Sequence, residues 1–249
     1  MLKEECIRKA MELDWPITCL EETDSTNLRL KEIARSGDLR PRMLCAESQT
    51  AGRGRLGRSF LSPGESGMYM SLLLPLPKDA LPLTIRAAVA VCRAVEEETG
   101  KALSIKWVND LFWQGKKVCG ILAEGVGNMA VLGIGLNLRM PKGGFPGVPI
   151  AGALETDAER ERLMGRVAFH VKRTLDEDGQ AVLSFYRQRM FLMEKEITFL
   201  QNGQEKTARV LGVDEAGGLV VLCDGKEEIL RTGEVSIGSH QFLEYKQPQ

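Results

Sequence analysis

Histidine is almost missing from this chain: His170 and His240 are the only two among 249 residues. They stand far apart, and His170 falls in a helical pattern. Neither a zinc cluster nor a Ser-His-Asp mechanism can be assembled from them with sensible spacing, and no protein metal site is expected. A charge excess is missing too. The net charge is −1, which provides no global field for nucleic acid, so no nucleic-acid partner is expected. No apolar run approaches the roughly 20 residues that span a bilayer, so no membrane partner is expected either. Paired cysteine motifs are absent. The six cysteines, at positions 6, 19, 45, 92, 119 and 223, are scattered, and Met1-Leu2-Lys3-Glu4-Glu5 carries no apolar leader. Reduced thiols and a cytoplasmic location are the expectation. An enzyme made from this inventory would work by positioning its substrates and by fixed positive charge.

What is present is an ordinary globular balance, 43% hydrophobic and 27% charged, at a length that suits one large domain or one with a small partner. The chain is organised around Gln49-Thr50-Ala51-Gly52-Arg53-Gly54-Arg55-Leu56-Gly57-Arg58. This stretch cannot bury a face. Glycine lets its backbone approach a ligand closely, and arginine offers a planar fork of donors for phosphate or carboxylate. Together they read as a mobile loop over an anion. A solvated basic loop is the plain alternative.

Before the loop, residues 2 to 13 have helical spacing, Pro16 stops them, and Ile17 to Leu20 reads as a short strand. Asp24-Ser25-Thr26-Asn27 precedes a helix over Leu28 to Ala34. All four are good caps, and one suffices, which leaves hydroxyls and an amide beside a helix N-terminus. Strands are expected at Arg42 to Ser48 and Met68 to Leu74, and a helix over Leu83 to Glu98.

The second informative stretch is Leu103 to Trp107, a turn at Val108-Asn109-Asp110, then Leu111 to Trp113, a hairpin turn, and strands at Val118 to Glu124 and Met129 to Leu138. They read as an antiparallel meander. Lys106 sits in an apolar strand, where lysine is normally avoided. It is either on a solvated face or aimed at an anion. Gly133, Gly135 and Asn137 mark either a bulge or a flat approach for a ring. Two helices follow, over Asp157 to Glu177 and Ala181 to Phe191. Beyond Met193 short strands with turn signals predict a small barrel. The expected domains are 1–193 and 194–249.

Five pieces in this order resemble bacterial biotin protein ligase: Ser25-Thr26-Asn27, Gln49 to Arg58, Lys106-Trp107-Val108-Asn109-Asp110, Lys117 with Gly120-Ile121-Leu122, and Gly133 to Asn137. The resemblance covers the whole chain, including Asp214 to Gly218 and Gly233-Glu234-Val235-Ser236. Too little chain precedes residue 20 for the family's DNA-binding helix-turn-helix, so the likeness is to the monofunctional form. It implies an α+β fold: a catalytic domain similar to class II aminoacyl-tRNA synthetases, with a mixed, largely antiparallel sheet and flanking helices, followed by an SH3-like domain.

The resemblance also implies a reaction. ATP activates biotin as biotinyl-5′-AMP, and a lysine on the biotin carboxyl-carrier domain of a carboxylase takes the biotinyl group. By resemblance, Lys106, Arg53 and Arg55 are catalytic. Ser25, Thr26, Asn27, Gln49, Gly52, Arg53, Gly54, Arg55, Lys106 and Gly120 meet biotin. Arg55, Arg58, Lys117 and Asn137 meet ATP, and Mg2+ neutralises pyrophosphate. Monomer and homodimer both stay open. Two positions depart from the family's pattern: Val108 stands where proline is usual, and Phe60 where tryptophan is usual. The rival reading is a lipoate or octanoate ligase or transferase, which shares the related fold and a lysine acceptor but lacks the Gly-Arg-Gly-Arg loop.

Overall fold

The computed structural model describes residues 1–231, 233, 235 and 236; His240 and Glu234 lie outside the described residues. Helix α1 (Glu4–Met11) leads into β1 (Ile17–Thr23), α2 (Thr26–Arg35) and β2 (Arg42–Gln49). After the Gly-Arg loop come β3 (Gly67–Pro75), α3 (Leu83–Thr99), β4 (Ser104–Lys106), β5 (Asp110–Trp113), β6 (Lys116–Val126) and β7 (Met129–Asn137). Helices α4 (Arg160–Asp176) and α5 (Gly179–Arg189) close the first unit. The seven strands form one sheet in the order β1-β2-β3-β7-β6-β5-β4. Only β1–β2 is parallel; every other pairing is antiparallel.

Alternation along the strands decides the layers. Met68, Met70, Leu72 and Leu74 of β3 share a face with Leu132, Ile134 and Leu136 of β7, and all enter the large core, where α4 packs over β3 and α3 over β6. Residues 85 to 95 of α3 carry an unbroken set of small and branched apolar side chains apart from Arg86 and Arg93, which lets the helix be buried nearly all round. On the opposite face α2 sets Leu30 and Ala34 against Leu44, Leu73, Met129 and Val131. Beyond α2 that face bears Gly120, Gly133 and Gly135, which line an open cleft, with Tyr69 and Ser71 buried beside them.

The C-terminal unit is a five-stranded antiparallel sheet in the order β11-β10-β9-β8-β12. Its strands are β8 (Glu196–Gln201), β9 (Gln204–Val213), β10 (Leu219–Cys223), β11 (Lys226–Leu230) and β12 (Val235–Ser236). Ile197, Phe199, Val210, Leu219 and Val221 continue the large core. The buried Trp107 indole donates to the Gly217 carbonyl at 2.9 Å, tying this unit to the Lys106–Asn109 turn.

Several boundaries differ from the expected ones. Strand β1 runs to Thr23 because it pairs with β2 as far as Gln49, a partnership no local pattern reveals. Residues 104 to 113 form two short paired strands around the turn. Helix α2 begins at Thr26, so Thr26 and Asn27 are helical residues rather than caps. Ser25 takes the N-cap place without a side-chain capping bond.

Candidate functional site

The open face of the sheet, the Gly-Arg loop and the β4–β5 turn enclose a cleft of about 440 Å³, a volume suited to a small organic ligand. Ser25, Thr26, Asn27, Gln49, Arg53, Gly54, Arg55, Arg58, Lys106, Lys117 and Gly120 all line it, although they come from five separate segments. Val235 and Ser236 of the C-terminal unit also reach it.

Glycine makes the floor. A Cβ on Gly135 would lie 2.4 Å from Cε1 of Phe60, and one on Gly133 would lie 2.2 Å from Oδ1 of Asn27. Real Cβ atoms do not approach that closely, so Phe60 and Asn27 can occupy these places only over bare backbone. The glycines serve close approach rather than a bulge: the pairings Gly120↔Gly135 and Leu122↔Gly133 run without a register shift. Phe60 stands edge-on to Tyr69, with ring centroids 6.5 Å apart, so the aromatic wall is itself packed.

The polar end of the floor is tied together. Gln49 Oε1 accepts from the Thr26 amide at 2.9 Å, and Gln49 Nε2 donates to Ser62 Oγ at 2.8 Å. The Asn27 amide nitrogen donates to Glu124 at 2.9 Å, and Lys31 pairs with the other Glu124 oxygen at 2.8 Å. Burial alone would push the Glu124 carboxyl up, but the donors Lys31 and Asn27 hold it below the ordinary value. Asp24, gripped by Arg29, is held down at about 2, and its Oδ1 accepts the Ser25 amide.

The other end is cationic. Arg53, Arg55, Arg58, Lys106 and Lys117 meet one carboxylate, Asp110, among the described lining residues. Lys117 Nζ lies 2.6 Å from Asp110 Oδ1. The Arg55 fork donates to Asn109 Oδ1 at 2.9 Å and to the Gly233 carbonyl at 2.8 Å, so it fastens the loop to the turn and to the C-terminal unit. Five cations gathered on one cleft make a site for an anionic ligand. The Trp107–Val108 peptide bond is cis.

Two expected residues are placed elsewhere. Gly52 does not line the cleft; a Cβ there would come within 2.3 Å of the Phe60 carbonyl, so it admits the returning chain. Asn137 is 5% exposed and spends its amide nitrogen on the Gly152 carbonyl at 2.9 Å, bracing the segment that carries Gly147, Val148 and Ile150 to the rim. Conversely, Ser71 and Glu124 are part of the site's framework and were not singled out in the sequence, and Asn109 was named there only within the Lys106-to-Asp110 stretch. Ser71 alone had a readable signal, a hydroxyl inside an apolar strand. Among the described residues no three His, Cys, Asp or Glu side chains cluster to hold a metal. Asp110 is the one carboxylate among the described lining residues and pairs with Lys117, so an Mg2+ in this cleft would be held chiefly by ligand phosphate, and no step is assigned to it.

Comparison with known proteins points the same way. Residues 19–140 match the biotin/lipoate A/B protein ligase family, and residues 193–238 match the biotin protein ligase C-terminal domain. The chain is 38% identical over 130 residues to the bifunctional ligase/repressor BirA of Bacillus subtilis. That alignment covers 49% of this chain and 40% of the Bacillus protein. It is 30% identical over 232 residues to the biotin--[acetyl-CoA-carboxylase] ligase of Mycobacterium tuberculosis, covering 86% of each. Its fold matches a biotin protein ligase from Aquifex aeolicus solved in complex with biotin and ATP. There the TM-score is 0.76 at 29% identity, over 90% of this chain and 98% of that one. With the catalytic and C-terminal units both matched, and in the same order, the chain belongs to the biotin protein ligase family.

Proposed function

We propose that this protein uses ATP to activate biotin as biotinyl-5′-adenylate and then transfers the biotinyl group to a lysine of a biotin carboxyl-carrier domain. The observation that carries this reading is the cleft's lining: a glycine floor that brings Thr26, Asn27 and Gln49 together with five cations, Arg53, Arg55, Arg58, Lys106 and Lys117. In the first step a biotin carboxylate oxygen bonds to the α-phosphorus of ATP and pyrophosphate leaves. Two anions must meet, so the barrier is electrostatic, and Lys106 with Arg53 and Arg55 offsets it. Closing the Gly-Arg loop keeps water from the mixed anhydride. In the second step the carrier lysine amine attacks the acyl carbon and AMP leaves, giving an amide. Arg58 and Lys117 take the remaining phosphate charge, and Mg2+ would arrive with the triphosphate rather than in a protein cage.

The family model also spans lipoate ligases, so the test must separate the acyl groups. The protein is mixed with ATP, Mg2+ and a carrier domain, with biotin in one tube and lipoate or octanoate in another. A biotin-sized mass on the carrier lysine, absent without ATP, is the expected result. Transfer only of lipoate or octanoate would replace this reading with the rival one.

A further inference from the structure

Behind the cleft floor lies a row of hydrogen-bonding groups whose protons can be counted. The Ser71 hydroxyl is fully buried, with its Oγ 2.6 Å from Asn27 Oδ1 and 2.7 Å from Thr26 Oγ1. It has one proton for two close oxygens. Glu124 decides where that proton goes. An ionised carboxylate only accepts, so the Asn27 amide must turn its nitrogen to Glu124 and its oxygen to Ser71. That oxygen cannot donate, so the Ser71 proton is committed to it. Ser71 Oγ also lies 2.7 Å from Thr26 Oγ1, whose hydroxyl donates onward to Gln49 Oε1 at 3.1 Å. The row therefore ties Gln49 and Thr26 through Ser71 and Asn27 to Glu124, and its far end is held ionised by Lys31.

We propose that Glu124, supported by Lys31, is a positioning residue that fixes which way round the Asn27 amide sits and, through Ser71, holds Thr26 and Gln49 in place on the cleft floor. On the biotin reading, on which this inference rests, that floor receives the polar ring of the substrate. Glu124 acts through Asn27 and touches no reacting atom.

Moving the charge along the chain tests this. Asn27→Asp sets two carboxylates against each other. Glu124→Gln lets the Asn27 amide sit either way round. The double variant Asn27→Asp/Glu124→Gln restores a single arrangement, because the new amide donates to the new carboxylate. That carboxylate still accepts from Ser71 and lies one turn from Lys31 on α2. Initial rates of pyrophosphate release are measured against biotin at saturating ATP, on the full chain. Each single variant should raise KM for biotin about tenfold or more, the scale for a hydrogen bond to a charged group. The double variant should return to within about threefold of wild type, and kcat should hold throughout. A double variant as poor as Asn27→Asp, or a loss in kcat with KM unchanged, overturns the lock. If a single variant fails to fold by thermal unfolding, Ser71→Ala breaks the chain at its middle; it should raise KM for biotin about tenfold, and an unchanged KM overturns the inference. Wild-type protein that releases no pyrophosphate on adding biotin would instead overturn the reading of the site, and this inference with it.

Discussion

The two faces of the seven-stranded sheet are built from the same strands and do opposite work. On one, Met68, Met70, Leu72, Leu132 and Ile134 are buried in the large core beneath α3 and α4. On the other, the intervening positions Tyr69, Ser71, Gly133 and Gly135 are mostly small or polar, and α2 covers only part of them. The closed face supplies stability through removal of apolar area from water. The open face gives up that burial and gains a cleft. A two-residue period thus divides holding the fold from holding a ligand, and substitutions one position apart should fail in different ways.

The largest effect is expected at the cationic end of the open face. Lys106→Ala should lower adenylate formation by at least about two orders of magnitude, the scale for one aimed charge, with the fold intact. Near-normal pyrophosphate release from that variant would remove Lys106 from its role. On the closed face, Leu132→Ala should cost about 2–5 kcal/mol of stability in denaturant unfolding, because a fully buried side chain leaves a cavity. Its KM for biotin should stay at the wild-type value; a raised KM would blur the division between faces.

Three residues along β7, Gly135→Ala should instead overpack Phe60 and weaken biotin or ATP binding about tenfold. Adding Phe60→Ala should recover part of that loss. No recovery in a binding titration would show that the added methyl group acts on something other than the ring.

The smallest effect lies far from the cleft. Burial pushes the His170 imidazole below its ordinary 6.5, and the Glu97 carboxylate beside it offsets this only in part. As pH falls through 6.5 the unfolded chain takes up the proton first, so this contribution is present in full above that value and is lost below it. His170→Gln should flatten the fall in stability between about pH 7 and pH 5, read from urea midpoints. An unchanged slope would mean that His170 titrates alike folded and unfolded.

Much of the site was legible in the chain because its residues violate local rules. The Gly-Arg loop has nothing to bury, Lys106 interrupts an apolar strand, and Gly133 and Gly135 weaken one. Each breaks a pattern that packing alone would keep, and each reaches the cleft floor or wall. Asn137 lies outside the described cleft lining for the converse reason. A polar residue at a strand end looks available to a ligand, yet here its amide is engaged by the Gly152 carbonyl. Glu124 gave no signal: a carboxylate at the end of an amphipathic strand is ordinary until α2 brings Asn27 and Lys31 against it.

The sequence by itself determined the elements, their order and the chemical character of the loop, since hydrophobic period, capping residues and glycine content act over a few neighbours. The tertiary structure decided the parallel pairing of β1 with β2, the reach of Arg55 to Asn109 and Gly233, and the meeting of Thr26, Ser71, Asn27 and Glu124. These depend on groups that meet only when distant segments pack.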